Sequence, residues 1–307
     1  MKRALVALTL AAGCAAPLRI VAGGDLHLGP RSGAVLEPLR VQLVADLRLC
    51  NLEGPLVDAC APDGESLCAP VEKARAVFAL VDVAVLENNH LDDQGARGRA
   101  STVRALAAQG VVGADARFSL ELHGRRVTLL SRSLAPGALP SPELGDEIAA
   151  ITNARAGGLV LVSLHWGETG VHLPSPEQRR AARAIIDAGA VAVLGHGPHT
   201  VQPVERYRGG VIAYSLGNLA FECDCSTESD SFLLRFEIDR RGAVGEVALL
   251  PIDAGVRGGA SRPSRDDELL RLLEDLEMEL GMKTVRRGAE LFVSPTRGDE
   301  RAIRPRR

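Results

Sequence analysis

The chain of 307 residues carries 36 Lys and Arg against 39 Asp and Glu, a formal charge of −3, with 46% hydrophobic and 3% aromatic residues. That apolar share excludes a disordered chain, and a chain this long can bury a core large enough to need no disulfide scaffold. Slight acidity without a basic stripe, and few rings for stacking, argue against nucleic acid as the main partner.

Lys2 and Arg3 precede an apolar run over 4–12, followed by Gly13 and Cys14. A short basic region, a short apolar region and small residues read as an export signal. The run is too short to span a bilayer, which takes about 20 apolar residues. Leu10-Ala11-Ala12-Gly13-Cys14 resembles a bacterial lipobox, which implies cleavage before Cys14 and a lipid on its thiol. The expected location is the cell envelope as a membrane-anchored lipoprotein; the alternative is an ordinary signal cut nearby and a secreted or periplasmic protein. Loss of residues 1–13 removes two positive charges and leaves the chain more acidic. In an oxidising compartment disulfides persist. Cys50 lies in an apolar stretch and reads as a buried thiol, whereas Cys60, Cys68, Cys223 and Cys225 lie in polar loops and allow two bridges in three connectivities.

Apolar runs over 18–22, 46–52, 83–86, 111–112, 119–122, 127–130, 159–164 and 191–194 read as strands. The first is expected to end at Gly23-Gly24. Further strands are expected over 201–206, 211–216, 232–238 and 244–250, many in hairpin-like succession. Helical spacing covers 71–81, 100–109, 146–155 and 265–280. Another helix opens at Ser175-Pro176-Glu177 and runs to about residue 188, with Pro at its first position and Gly189 past its end. Arg301, Arg304, Arg306 and Arg307 lack an apolar period and read as a solvated tail. The alternation gives an α/β domain built on two sheets with helices outside.

The seven His carry the functional signal. Five of them, His27, His90, His165, His196 and His199, fall where an apolar strand breaks into a loop. Ligands in open α/β folds gather at the carboxyl ends of strands. Asp25 and His27 point the same way along an extended chain, Glu53 ends the second strand, and Asn88-Asn89-His90 ends the third. Carboxylate, amide oxygen and imidazole together suit Zn²⁺, Mn²⁺ or Fe²⁺. Two such ions would activate a bridging water for hydrolysis, and a His outside the ligand set can serve as general acid.

Six motifs, in order and spacing, resemble the CapA family of poly-γ-glutamate capsule biosynthesis proteins, a branch of the calcineurin-like metallophosphoesterases. They are Gly24-Asp25 with Gly29, residues 51–55, Asn88-Asn89-His90 with Asp93 and Gly95, residues 163–168, Gly195-His196 with Pro198-His199 and Gln202-Pro203, and residues 214–218. The resemblance implies a four-layer αββα sandwich of two packed mixed sheets over 18–252, flanked by the leader over 1–13 and a C-terminal helix and basic tail over 253–307. It implies that Asp25 and His27 bind a first metal, Glu53 bridges, Asn89 and His165 bind a second, and His196 and His199 complete the two shells. His90 takes the catalytic role. Asp93, Trp166, Glu168 and Asn218 face substrate or support the ligands, with packing an equal reading for Trp166 and a helix cap the favoured reading for Asp93. The superfamily's His-x-His is here His196-x-x-His199, and Glu53 stands where the superfamily has Asp. Glu87 is either an extra carboxylate at the site or a charge at a loop edge. Two function classes follow: a cell-surface metal-dependent hydrolase, phosphoesterase-like, acting on capsule polymer or a small anionic substrate, or a non-catalytic component that binds or exports the polymer with membrane capsule-synthesis partners.

Overall fold

Strands that are apolar on every residue must be covered on both faces, and the layers here follow from that requirement. The computed structural model describes residues 16–29, 35–60, 67–73, 79–135, 142–155, 157–222, 228–256 and 259–295. In chain order the strands are β1 (Leu18–His27), β2 (Leu47–Leu52), β3 (Leu56–Val57), β4 (Ala69–Pro70), β5 (Val83–Val85), β6 (Val112–Ala114), β7 (Arg117–Leu122), β8 (Arg125–Ser133) and β9 (Leu159–His165). They continue as β10 (Ala192–His196), β11 (Val204–Tyr207), β12 (Gly210–Ala213), β13 (Asn218–Phe221), β14 (Asp230–Ile238), β15 (Val244–Asp253), β16 (Arg262–Pro263), β17 (Lys283–Arg287) and β18 (Glu290–Ser294). Helices span Gly95–Ala107, Pro142–Arg155, Pro176–Ala188 and Asp267–Glu279.

Among the described residues, one mixed sheet runs β17-β18-β15-β14-β1-β2-β5-β6, with β13 beside β1 and β16 beside β15. The other runs β11-β12-β10-β9-β8-β7, and β3 pairs β4 separately. Period-two alternation sorts the apolar side chains. Ile20, Ala22 and Leu49 of the first sheet meet Leu129, Leu161 and Leu194 of the second in a central core. Val21, Cys50 and Ala84 face outward against Leu106 of the helix Gly95–Ala107. Val160, Val162 and Val193 face outward against Ile151 and Ile185 of the helices Pro142–Arg155 and Pro176–Ala188. Each fully buried Val, Leu or Ile among them contributes about 1.5–3 kcal/mol. The expected arrangement of two packed mixed sheets with helices outside is present.

The helix Pro176–Ala188 starts as its sequence predicts. Gln178 N–H donates to Ser175 Oγ at 3.1 Å, and Ser175 N–H donates back to Gln178 Oε1 at 2.9 Å, a reciprocal capping box. Cys50 is a buried free thiol whose pKa burial pushes up to about 12, with the Asp25 charge adding to the effect. Cys60 is bonded to Cys68. Cys223, Cys225, Cys14 and the tail over 301–307 lie outside the described residues.

Several elements differ from the sequence reading. β1 does not stop at Gly23-Gly24 but runs on to His27, with a shift in register against β2 between Ala22 and Asp25. A Cβ at Gly24 would lie 1.9 Å from the Gly217 carbonyl oxygen, so the glycine permits a close backbone crossing rather than ending the strand. The stretch over 71–81 is helical at 71–73 and a turn at 79–80, with 74–78 outside the described residues. β11 begins at Val204, because the segment before it contains Pro203, and Val201 makes only an isolated bridge to Leu216. The hairpin of β17 and β18 extends the first sheet through β15. β17 reads Lys-Thr-Val-Arg-Arg and is almost wholly exposed, so no apolar alternation announced it. No helix among the described residues is long and apolar enough to cross a membrane.

Candidate functional site

The carboxyl ends of the parallel strands of both sheets converge. In the first sheet Asp25 on β1 stands in register with Asn51 on β2. In the second, His165 at the end of β9 stands beside His196 at the end of β10. The segment 214–218 ties the two ends together: Leu216 N–H donates to the Gly195 carbonyl at 3.1 Å, and Asp25 N–H donates to the Gly217 carbonyl at 2.9 Å. A Cβ at Gly195 would lie 1.9 Å from the Tyr214 carbonyl oxygen, so this seam also needs a glycine.

At the seam lie two carboxylates with almost no exposure, Asp25 at 0% and Glu53 at 1%. Asn51 Nδ2 donates to Asp25 Oδ1 at 2.9 Å and lies 3.4 Å from Glu53 Oε2, so one amide binds both. Gly197 N–H donates to Asp25 Oδ2 at 3.0 Å. The imidazoles surround them: His196 Nδ1 is 3.2 Å from Asp25 Oδ1, His199 Nδ1 is 3.2 Å from Asp25 Oδ2, His199 Nε2 is 3.4 Å from Glu53 Oε1, and His165 Nε2 is 3.6 Å from Glu53 Oε1. His199 adopts φ 58°, a left-handed conformation that costs a β-carbon residue about 1–2 kcal/mol. It is held there by its carboxylate neighbours, by Asn218 Oδ1 at 3.1 Å, and by the Phe221 ring with centroids 4.7 Å apart.

The donor set fits a divalent cation. One ligand atom each from Asp25, Glu53 and His165 lie within 4.8 Å of one another, and all three residues are buried. Glu53 Oε1, His165 Nε2 and both ring nitrogens of His196 are buried with no hydrogen-bond partner among the described residues, although charged or polar neighbours stand 3.2–3.6 Å away. Buried polar atoms are rarely left unpaired, and the gathering of Asp25, Glu53 and His165 ligand atoms at one place suits a shared ion. Carboxylate oxygen and imidazole nitrogen are ligands for Zn²⁺, Mn²⁺ or Fe²⁺. Burial pushes the Asp25 carboxyl up, yet His196 and His199 beside it hold it well below the ordinary carboxylate range. Burial and the Asp25 charge raise Glu53, but His165 and His199 bring it below its usual value. Burial lowers His199, but Asp25 and Glu53 outweigh it and raise that imidazole to about 11. Burial likewise opposes the charge on His165, and Glu53 outweighs it, so His165 is raised too. The pocket is built to hold positive charge between two anions.

Other expected residues are placed as follows. His27 is 5% exposed and donates through Nδ1 to the Glu53 carbonyl at 3.1 Å; burial lowers its pKa against the Glu53 contacts that raise it. His90 is half-buried, with Nδ1 2.9 Å from Asp93 Oδ2. Asp93 does not cap a helix: Gln94 occupies that position, while Asp93 Oδ2 also accepts from Leu67 N–H at 2.7 Å. Trp166 is 1% exposed and packs rather than facing solvent; Nε1 donates to the Tyr214 carbonyl at 3.0 Å, and its N–H to the His196 carbonyl at 2.9 Å. Asn218, fully buried, binds His199 and donates Nδ2 to the Glu228 carbonyl at 3.0 Å. Glu168 is exposed in the turn after Trp166. Glu87 sits at a loop edge, 3.9 Å from Arg99.

Asn89 departs from its expected ligand role. It is exposed and makes no hydrogen bond to the cluster among the described residues, while His90 N–H donates to Asn88 Oδ1 at 3.1 Å and closes a tight local turn. Asn88 is turned inward instead, donating Nδ2 to Asn51 Oδ1 at 3.0 Å and to the Leu52 carbonyl at 2.8 Å. Asn51 and Asn88 were both missed as site residues. Alternation places Asn51 on the same face as Glu53 and could have found it; nothing in the sequence tells the two adjacent asparagines apart.

The family described as "Bacterial capsule synthesis protein PGA_cap" matches residues 31–223. A capsule biosynthesis protein CapA of Bacillus anthracis is 34% identical over 215 residues, covering 62% of this chain and 52% of that protein. A PGA biosynthesis protein CapA of Bacillus subtilis is 33% identical over 204 residues, covering 59% of this chain and 53% of that protein. The chain thus spans about half the length of these two relatives. A probable polyglutamine synthesis accessory protein of Mycobacterium tuberculosis is 28% identical over 302 residues, covering 84% of this chain and 78% of its own. Among solved structures, a phosphatase from Mycoplasma pneumoniae superposes with TM-score 0.55 at 15% identity over 83% of this chain and 96% of its own, a likeness of fold. The match over 31–223, which takes in every residue of the cluster from Glu53 to Asn218, shows that the chain belongs to the bacterial capsule synthesis family PGA_cap.

Proposed function

We propose that this protein is a cell-surface, metal-dependent hydrolase of metallophosphoesterase type that serves poly-γ-glutamate capsule biosynthesis. The observation that carries the reading is the set of buried, unpartnered ligand atoms on Glu53, His165 and His196 around the Asp25 carboxylate. Asp25, Glu53 and His165 would hold a divalent metal, with His196 and His199 completing its surroundings and Asn51 fixing the carboxylates. His27 and Asn88 border the cluster, and a second ion would draw on His27. A bound metal supplies an acidified water and neutralises charge on a substrate oxygen.

The chain's own acid is His90. Asp93 holds its Nδ1 at 2.9 Å, which orients the ring and leaves the other nitrogen to hand a proton to a leaving oxygen or nitrogen. The capsule relatives favour a capsule polymer or a precursor of it as substrate. Export with a lipid on Cys14 would place the site at the membrane surface beside capsule-synthesis partners; mass spectrometry of the mature N-terminus tests this, and an unmodified terminus away from Cys14 would refute it.

The test of hydrolysis is turnover of a chromogenic phosphomonoester and of poly-γ-glutamate by the Mn²⁺- or Zn²⁺-supplemented protein. His90→Ala is expected to lower kcat about 10²–10⁴-fold with metal content unchanged. Equal turnover in that variant defeats the assignment. The exposure of Asn89 favours a second reading, a polymer-binding component with a reduced, single-ion site. That reading predicts bound metal, bound polymer and no turnover in wild type.

A further inference from the structure

The amino ends of β9 and β10, opposite the metal cluster, border two adjoining clefts that the hydrolase reading leaves unexplained. One encloses about 360 Å³ beside Arg125, Arg126, Arg240 and Arg241. The other encloses about 610 Å³ beside Arg117 and Arg126. Arg126 and Gly157 line both, so the clefts run into a single groove.

The groove is shaped around its arginines. A Cβ at Gly157 would lie 2.9 Å from Arg126 Nη1, and one at Gly158 would lie 2.2 Å from the Arg126 carbonyl oxygen. Gly158 is therefore required by the Arg126 main chain, whereas Gly157 leaves space that the Arg126 guanidinium occupies. Arg125 is half-buried and anchored by donation from Nη1 to the Ile238 carbonyl at 3.3 Å. Two acids lie beside Arg126 and Arg241. Asp239 Oδ1 accepts the main-chain N–H groups of Arg241 and Ala243 at 2.8 and 2.9 Å. Glu121 meets Arg126 Nε at 3.3 Å, but both are exposed, and such a pair is weak enough for a polyanion to displace.

Guanidinium forks in a row match carboxylates two bonds at a time. Among the described residues no aromatic ring lines either cleft, whereas single-stranded nucleic acid sites typically offer a stacking platform. We propose that this arginine groove docks a linear polycarboxylate, and specifically the capsule polymer; that identity rests on the functional reading above. β9 runs from Leu159 at the groove to His165 at the cluster, which at about 3.3 Å per residue separates the two sites by about 20 Å. The groove therefore holds polymer without occupying the metal.

The test is fluorescence anisotropy of end-labelled poly-γ-glutamate on the metal-supplemented protein, with metal content and melting temperature recorded on each sample. Arg126→Ala combined with Arg241→Ala, both exposed positions, is expected to weaken binding at least ten-fold with metal content and melting temperature unchanged. His165→Ala is expected to bind within about two-fold of wild type. Absent binding by wild type, or undiminished binding by the arginine double variant, overturns the proposal. Loss of binding in His165→Ala alone also overturns it by locating the polymer at the metal cluster, and leaves the hydrolase reading standing. Equal binding of a single-stranded oligodeoxynucleotide of matched charge, lost in the same double variant, assigns the groove to nucleic acid and overturns the polymer as occupant. Wild type that binds polymer but no metal keeps the groove and removes the hydrolase.

Discussion

Asn51 is the residue on which the two buried carboxylates depend, since its Nδ2 serves Asp25 and Glu53 while its oxygen accepts from Asn88. Outer partners that orient ligands typically tune metal affinity 10–100-fold. Asn51→Ala is therefore expected to weaken Mn²⁺ or Zn²⁺ binding by about that factor in calorimetric titration, without unfolding the chain; unchanged affinity would show that the carboxylates hold their own positions. The cluster was legible because strand ends announce themselves in sequence: Asp25, Glu53, His165, His196 and His199 all follow apolar runs. Asn88 and Asn89 were not separable, because which of two adjacent amides turns inward depends on a turn closed by His90 N–H. The role of Asp93 was hidden for a similar reason, since its partner Leu67 N–H lies 26 residues away.

At the scale of elements, local chemistry was readable and tertiary chemistry was not. Ser175, Pro176 and Glu177 spell a helix start, and the structure adds a capping box between Ser175 and Gln178. Ser175→Ala is expected to cost about 1 kcal/mol in urea denaturation, and an unchanged midpoint would show that the cap is dispensable in this packing. Gly23-Gly24 was misread as a strand end because glycine signals both turns and close crossings, and only the approach of Gly217 distinguishes them. Gly24→Ala is expected to abolish soluble expression, because no rotamer can move a β-carbon away from a backbone oxygen 1.9 Å distant. Normal yield and melting temperature would show that the seam has slack. β17 escaped notice because an exposed edge strand need not alternate.

At the scale of the molecule, the C-terminal segment closes the sandwich. Leu269, Leu273 and Leu276 of the helix Asp267–Glu279 join the central core. On the same helix Glu277, 1% exposed, accepts from Val204 N–H at 2.7 Å while its other oxygen has no hydrogen-bond partner among the described residues. Burial, with Glu205 adding to it and the Val204 bond opposing, raises the Glu277 pKa well above its ordinary value. An acid whose folded pKa exceeds its unfolded value, about 4.3, imposes no penalty below that pH and an increasing one as pH rises toward the folded value. Glu277→Gln is expected to be more stable than wild type at pH 8, with the gap shrinking toward pH 4. Urea denaturation at the two pH values checks this, and a gap independent of pH would contradict it.

The central claim, that the seam between the two sheets is a metal centre, is tested most directly by elemental analysis of protein dialysed against Mn²⁺ or Zn²⁺ and then freed of loose ions. Wild type is expected to retain roughly one ion per chain or more, and Glu53→Gln combined with His165→Ala to retain less than about a tenth of that, as loss of two of three clustered ligands requires. Wild type that retains neither metal, or a double variant that retains as much as wild type, would contradict the account.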